Sequence, residues 1–556
     1  MNHRLTALRA ETEASCGTRT WLFAPKREVR SRRERARRNR TAASLSVFLM
    51  AVLAISHVGG EEPKKRGPWL IDQDEQTGLQ IHTMEMTLHT KAEPRPALKY
   101  RLLPDDFDLI DENAALYYLK AEGFFEQSPA RNRLRDVYEK AAEKARAEDK
   151  ETGQVPPHSW RTMTPDKLPL EEVKEFLKLT AFQPFFLEEA AKRRWFDLDR
   201  DIKNIDDPLG YLLPEVQSMR ELARTQTLRC KVAMAEGRLD DAIAILGQQY
   251  ALASHLGQDD FLVTNLVGMA ISSIAWTDAL LLTQHPDAPN LYWAYASLPR
   301  PIVDISHSMS VERQFLYMQV KALREVDETP RPAGYWRDFL DRVVQQFGSL
   351  AGEFSFGLTS TDLETNRAML VGYIAAAYPG AKRYLIDEFD FSPEQIESYP
   401  IAQVVFLAMV RFYDAARDDY FKWSAIPYWQ ANSSLDGTRR DKELRTKSKQ
   451  VGWSAAPAQL LLPAVLMVQT AVARNEQAIA LVQTVEAIRM YGAAHDGELP
   501  PTLDDLPVPA PMEPFTGKPL DYQHHRGFAV LNGHKMPGLR YRLILRFAET
   551  DTSSAK

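Results

Sequence analysis

The stretch FLVTNLVGMAISSIAWTDALLL, residues 261–282, is apolar nearly all round and carries no proline. A helix of that kind either sits at the centre of a packed assembly or crosses a bilayer. Asn265 and Asp278 lie inside it, together with Thr264, Ser272, Ser273 and Thr277. A carboxylate at membrane depth is costly unless paired. The flanks also lack the Lys/Arg bias that orients a span. The expectation is therefore a buried core helix, with a membrane span as the alternative. Immediately before it, Leu228, Val232, Leu239, Ile243, Leu246 and Tyr250 recur at helical spacing. Gly237 interrupts that run, so Glu236-Gly237-Arg238 reads as a tight turn between two antiparallel helices.

With 556 residues, the chain exceeds what one hydrophobic core usually serves. Its net charge of −6 hides an asymmetry. Residues 1–40 hold 12 Lys/Arg against 4 Asp/Glu, so the remainder carries −14. A body that acidic is a poor fit to nucleic acid. The Arg-rich SRRERARRNR precedes the apolar AASLSVFLMAVLAI and then a polar stretch, the order of a secretory signal. Cleavage before His57 is the expectation, and an uncleaved N-terminal anchor is the second arrangement. Either places the protein outside the cytoplasm, in the periplasm or cell envelope. Cys16 falls in the leader and Cys230 remains alone, so no internal disulfide can hold the fold. Cys230 reads as a small buried residue.

Met84, Met86 and Leu88 alternate with polar residues, the period of a half-buried strand. After a turn at Pro94–Pro96, Ala97–Leu103 reads as its hairpin partner. Helical patterns come next, including Ser308–Val326, Tyr335–Leu350, Asp362–Ala377, Pro400–Trp423 and Ala458–Tyr491. Tyr378-Pro379-Gly380 reads as a helix stop. The polar SSLDGTRRDKELRTKSK reads as a flexible linker. Apparent strands at Pro519–His524, Phe528–Leu531 and Leu539–Phe547 close the chain. The expected organisation is a leader or anchor over 1–56, an extended and hairpin segment over 57–105 and a helical domain over 106–432. A linker over 433–457 and a helix-plus-sheet module over 458–556 complete it.

No catalytic spacing is present: no His-Glu-x-x-His, no zinc-type cysteine pair, no phosphate-cradling glycine loop and no Gly-x-Ser-x-Gly. No catalytic, cofactor-binding or metal-binding residue is nominated, and no cofactor is expected. His524-His525 on a strand would point to opposite faces. Asp105-Asp106, Asp240-Asp241 and Asp504-Asp505 read as surface or capping residues. The aromatics of FKWSAIPYWQ, 421–430, read as core packing, with a sugar-stacking ledge as the alternative.

Two resemblances attach to residues. GRLDDAIAILGQQ, 237–249, resembles the turn and second helix of a tetratricopeptide repeat through Gly237, Ala242 and Leu246. PALKYRLLP, ENAALYYLKA, GRLDDAIAILGQQYALASHLG, FKWSAIPYWQA and the tail EPFTGKPLDY…GFAVLNG resemble a family of uncharacterised exported bacterial proteins. The tail is also similar to the head of type II secretion pseudopilins, where a long helix packs on a small sheet. Met490-Tyr491, Gly497-Glu498-Leu499-Pro500 and Glu513-Pro514-Phe515-Thr516-Gly517 occupy the matching places. Neither a prepilin cleavage motif nor an acidic calcium loop accompanies them. The resulting expectation is mainly α: an irregular helical-hairpin stack, a small N-terminal β-hairpin and a C-terminal α+β pseudopilin-like module. Its expected role is a non-catalytic exported scaffold binding envelope proteins of unknown identity, with no nucleic-acid partner. Attachment would be peripheral or through the N-terminal apolar segment. The alternative is an enzyme of unrecognised class acting on envelope polysaccharide.

Overall fold

A computed structural model describes residues 64–549 apart from 75–76, 124–128, 149, 212, 347–362, 432–435 and 537. The expected leader, residues 1–56, lies outside the described residues. The chain is mainly α, with a small β component.

Six strands form one sheet in the order β1-β2-β3-β8-β7-β6, drawn from both ends of the described chain. They are β1 (Lys64–Arg66), β2 (Trp69–Gln73) and β3 (Gln80–Leu88) from the N-terminal side. β4 (Ile110–Asn113) and β5 (Arg193–Trp195) make a separate two-stranded parallel sheet. β6 (Asp521–His525), β7 (Phe528–Asn532) and β8 (Leu539–Phe547) come from the C-terminal side. β3 pairs in parallel with β8, with Met84 opposite Leu543 and Met86 opposite Leu545. These four side chains, with Leu88, are buried. The alternation in the sequence thus reports the inner face of a sheet.

The hairpin itself differs from expectation. β3 takes β2 as its antiparallel partner, and Ala97–Leu103 is irregular. The reason lies in what covers it: a Cβ on Gly247 would come within 2.2 Å of the Leu102 carbonyl oxygen. The segment's backbone is pressed against a helix, a close approach that only glycine allows.

The helices that carry the core and the site are α1 (Ala115–Glu122), α2 (Gln183–Ala191), α3 (Pro214–Ala235), α4 (Leu239–Leu256), α5 (Leu262–Thr283), α6 (Leu363–Phe389), α7 (Ile401–Phe421), α8 (Gly437–Val451) and α9 (Ala456–Ala494). α3 and α4 form the hairpin read around Gly237, whose φ is 71°. α5 is long and apolar enough to span a membrane, yet it is packed among α3, α4 and α9 with most of its residues buried. Asn265 within it has protein partners: its amide donates to the Leu256 carbonyl at 2.8 Å and its oxygen accepts from Ser308. Burial pushes the Asp278 carboxyl up to about 6, with Lys231 opposing the shift. Cys230 is buried, as expected, and burial pushes its thiol up.

Three helix boundaries depart from the sequence expectation. The segment read as a flexible linker over 433–457 holds α8, which buries Leu444, Ser448 and Val451. Arg440 of α8 pairs with Asp419 and lies over the Tyr420 and Trp423 rings, both at 5.7 Å. A highly polar sequence is held as a helix by one narrow seam. Pro379-Gly380 does not stop α6, because the Gln450–Val451 backbone packs directly on Gly380. The expected Ser308–Val326 helix is instead broken into Ser306–Glu312, Phe315–Gln319 and the 3-10 turn Lys321–Glu325.

α9 runs through Pro463, packs on α5 and meets β8 where Gly492 lies against the Phe547 ring. Glu486 and Arg489 on it are both fully buried and paired at 2.9 Å. The Arg489 guanidinium also donates to the carbonyls of His89 (3.0 Å), Pro289 (3.2 Å) and Ala288 (2.8 Å). Glu486 accepts from the Thr283 hydroxyl at 2.9 Å and the Leu291 N–H at 3.2 Å. A buried ion pair is tolerable only when its remaining hydrogen-bonding capacity is met this way.

Candidate interaction corner and its neighbouring cleft

The sequence around β4 reads Asp105-Asp106-Phe107-Asp108-Leu109-Ile110-Asp111-Glu112, acids interleaved with apolar residues. Phe107 is 94 % exposed. Ile110 on β4, Leu116 on α1, Phe185 on α2 (63 % exposed) and Trp195 on β5 are exposed as well. β4 pairs with β5, and α1 packs on α2. Several exposed apolar side chains thus lie on or beside two packed pairs of elements. Single exposed apolar residues are ordinary, but several gathered on neighbouring elements mark an interaction surface.

The corner is rigidly built. Arg193 on β5 is buried and donates to the Tyr117 hydroxyl at 2.6 Å and to Glu189 at 2.7 Å, with Glu112 3.4 Å away. Its guanidinium lies 3.9 Å from the Tyr117 ring centroid, a cation–π stack. Arg194 pairs with the Asp106 carboxylate and donates to its carbonyl at 2.9 Å. The Asn113 amide donates to the Asp197 carbonyl at 2.7 Å and its oxygen accepts the Asp197 N–H at 3.1 Å.

His255 of α4 ties the corner to the core. Its Nε2 lies 2.9 Å from the Arg193 carbonyl oxygen and its Nδ1 lies 2.8 Å from the Tyr118 hydroxyl. A carbonyl can only accept, so Nε2 carries the proton. In the neutral ring Nδ1 then accepts from Tyr118. Burial holds the imidazole neutral, lowering its pKa to about 4.

Beside Trp195 opens a cleft of about 530 Å³, lined by Asp197, Arg200, Asp260, Asp304 and His307 among others. Arg200 is buried between Asp259 and Glu215, each at 2.6 Å. Burial opposes its charge, but the two carboxylates outweigh that and raise its pKa. Asp260 pairs with His307 Nε2 at 2.9 Å, and Asp304 accepts the Ser306 N–H and hydroxyl at 2.9 and 2.6 Å. The Asp197 carboxylate accepts the Asp199 N–H at 2.7 Å. The volume is that of a small-ligand site. Among the described residues no group of three or more His, Cys, Asp or Glu is placed to hold a metal ion.

The structure disperses the residues that drew attention in the sequence. His524 and His525 lie exposed on β6. Asp240 and Asp241 begin α4, and Asp505 closes a capping box with Thr502. The 421–430 aromatics do not line the cleft, and two of them, Tyr428 and Trp429, fold over the 513–517 turn. The Tyr428 ring meets Phe515 edge-on at 5.0 Å, and Trp429 covers Gly517, where a Cβ would fall 2.7 Å from the indole. Gly517 has φ of 65°, the turn conformation its sequence context implies. Asp105-Asp106 is on the surface, as read, yet it opens the acidic-apolar run that forms the corner. The mixed acidic and apolar composition of that run is a signal that a reading of Asp105-Asp106 as a surface or capping pair passes over, whereas Trp195, Asp260 and His307 carry no local signal and are assembled by the fold alone.

No known family model matches the chain, and neither a curated protein nor a solved structure matches it.

Proposed function

We propose that the chain is a non-catalytic exported scaffold of the cell envelope that docks a partner protein through the β4–β5 corner. The observation that carries this reading is the exposure of Phe107, Ile110, Leu116, Phe185 and Trp195 on elements braced by Arg193 and Arg194. Rigid apolar side chains on a preorganised support cost little to order on binding. The helix-on-sheet arrangement of α9 with β6–β8 supports kinship with pseudopilin heads, and the α3–α4 hairpin supports the tetratricopeptide likeness. The test is purification from the native envelope of the full chain and of a Phe107→Ser/Phe185→Ser variant. A partner retained by the first and lost by the second supports the reading, and equal retention removes it. Deleting residues 471–556 would not serve, because it removes most of α9 and three strands of the sheet.

A second reading, an enzyme acting on envelope polysaccharide, rests on the cleft that Trp195 lines together with Asp197, Asp260 and Asp304. Release of new reducing ends from envelope glycans, abolished by Asp260→Asn, would carry it.

A further inference from the structure

We infer that β4 is an open docking edge that accepts an extended partner segment in which basic and apolar side chains alternate. The inference rests on the proposed interaction role and specifies its partner.

The first support is the topology. β4 and β5 form a sheet of two strands, so each has one side not used by the other. The side beyond β5 is closed: the Arg193 carbonyl meets His255 Nε2 at 2.9 Å, and the Phe196 N–H donates to Gln258 at 2.8 Å. Among the described residues no strand lies beyond β4, whose register with β5 shifts between Ile110 and Asn113, and Ile110, Asp111 and Glu112 are all exposed. An unpaired edge of this kind is a template for strand addition.

Charge selects what can pair there. Asp105 pairs with Arg101, Asp106 with Arg194, and Glu112 lies 3.4 Å from Arg193. Asp108 and Asp111 have no ion-pair partner among the described residues. A second copy of this edge would set carboxylates against carboxylates, and like charges directly opposite destabilise a strand pair. A nucleic acid or other polyanion is disfavoured on the same ground. A cationic strand meets the two unmatched acids, while its apolar side chains have exposed Phe107 and Ile110 to cover. The supports of the edge are already in place, so the partner supplies most of the ordering cost.

The experiment is selection of a random nonapeptide library against the full-length chain. The best sequence is then measured by fluorescence anisotropy against the chain and its Asp108→Lys/Asp111→Lys variant. The substituted positions are exposed, and an unchanged melting temperature shows that the variant folds. The expected result is enrichment of Lys or Arg alternating with Val, Ile or Phe. Binding should weaken at least tenfold in the variant and be lost when alternate peptide amides are N-methylated. Selection of peptides without basic residues, of none above background, or of peptides insensitive to both changes would overturn the inference. So would dimerisation of the chain through this edge. If an envelope partner depends on Phe185 but not on Asp108 and Asp111, the scaffold role stands and strand addition fails. If it depends on none of them, the scaffold role fails as well.

Discussion

Among the described residues, distant segments are joined by parallel strand pairing twice, with opposite results. In the large sheet, β3 meets β8 and the joint is sealed: α9 and α5 cover it, and the Glu486–Arg489 pair has its partners inside. In the small sheet, β4 meets β5 around another buried arginine, Arg193, yet the joint faces outward with an unpaired edge and exposed apolar side chains. The same device, a guanidinium held by carboxylate and neighbouring oxygen atoms, closes one region and presents the other. What differs is the cover. Parallel sheets are normally buried on both faces, so a parallel pair left open points to use, not to stability.

The contrast can be broken most severely at its sealed end. Replacing Arg489 with Met leaves Glu486 buried and uncompensated, and should cost roughly 3–5 kcal/mol. Replacing both, Glu486→Gln with Arg489→Met, should recover part of that loss. Urea unfolding of the three chains measures it, and a single variant as stable as the parent would show that the pair is not structural.

The next effect belongs to His255, the link between the two regions. Its folded pKa is depressed, so protons bind the unfolded chain first as pH falls. Stability should be unaffected above pH 6.5, fall between 6.5 and about 4, and level off below. The full loss is on the order of 3 kcal/mol. Melting temperature against pH should lose this contribution in His255→Gln and keep that of His82, which burial also lowers to about 4. A slope unchanged in that variant assigns the acid sensitivity elsewhere.

Smaller again is Gly247→Ala, which drives a methyl into the Leu102 carbonyl and should cost about 1–3 kcal/mol by displacing the segment that leads to β4. Hydrogen exchange would show looser protection at residues 110–113 than in the large sheet, and equal loosening of both would mean that the regions are not separable. Least of all, Phe107→Ser should change stability by under about 0.5 kcal/mol. A larger loss in thermal unfolding would show that Phe107 serves packing and not presentation.

Much of the helical architecture was legible because its signal is local. α5 announced itself by an apolar run with few interruptions, and the α3–α4 hairpin by Gly237. The inner face of β3 was legible from Met84, Met86 and Leu88. The misread elements share a physical cause. α8 looked like a linker because only Leu444, Ser448, Val451 and the reach of Arg440 hold it. α6 passes Pro379-Gly380 because a neighbour's backbone packs there. Ala97–Leu103 has the composition of a strand, but the backbone of Leu102 is pressed on α4 at Gly247. Propensity is a weak prior that such packing overrides.

By itself, the sequence determined which segments must be buried and at what period, because apolar spacing is a property of neighbouring residues. Only the tertiary structure decided that β3 pairs with β8, that β4 pairs with β5 and keeps a free edge, and that Trp195 stands beside Asp260 and His307. Parallel strands cannot be joined by a tight turn, so their pairing leaves no local mark on the chain. It is set by which faces the packed helices leave open.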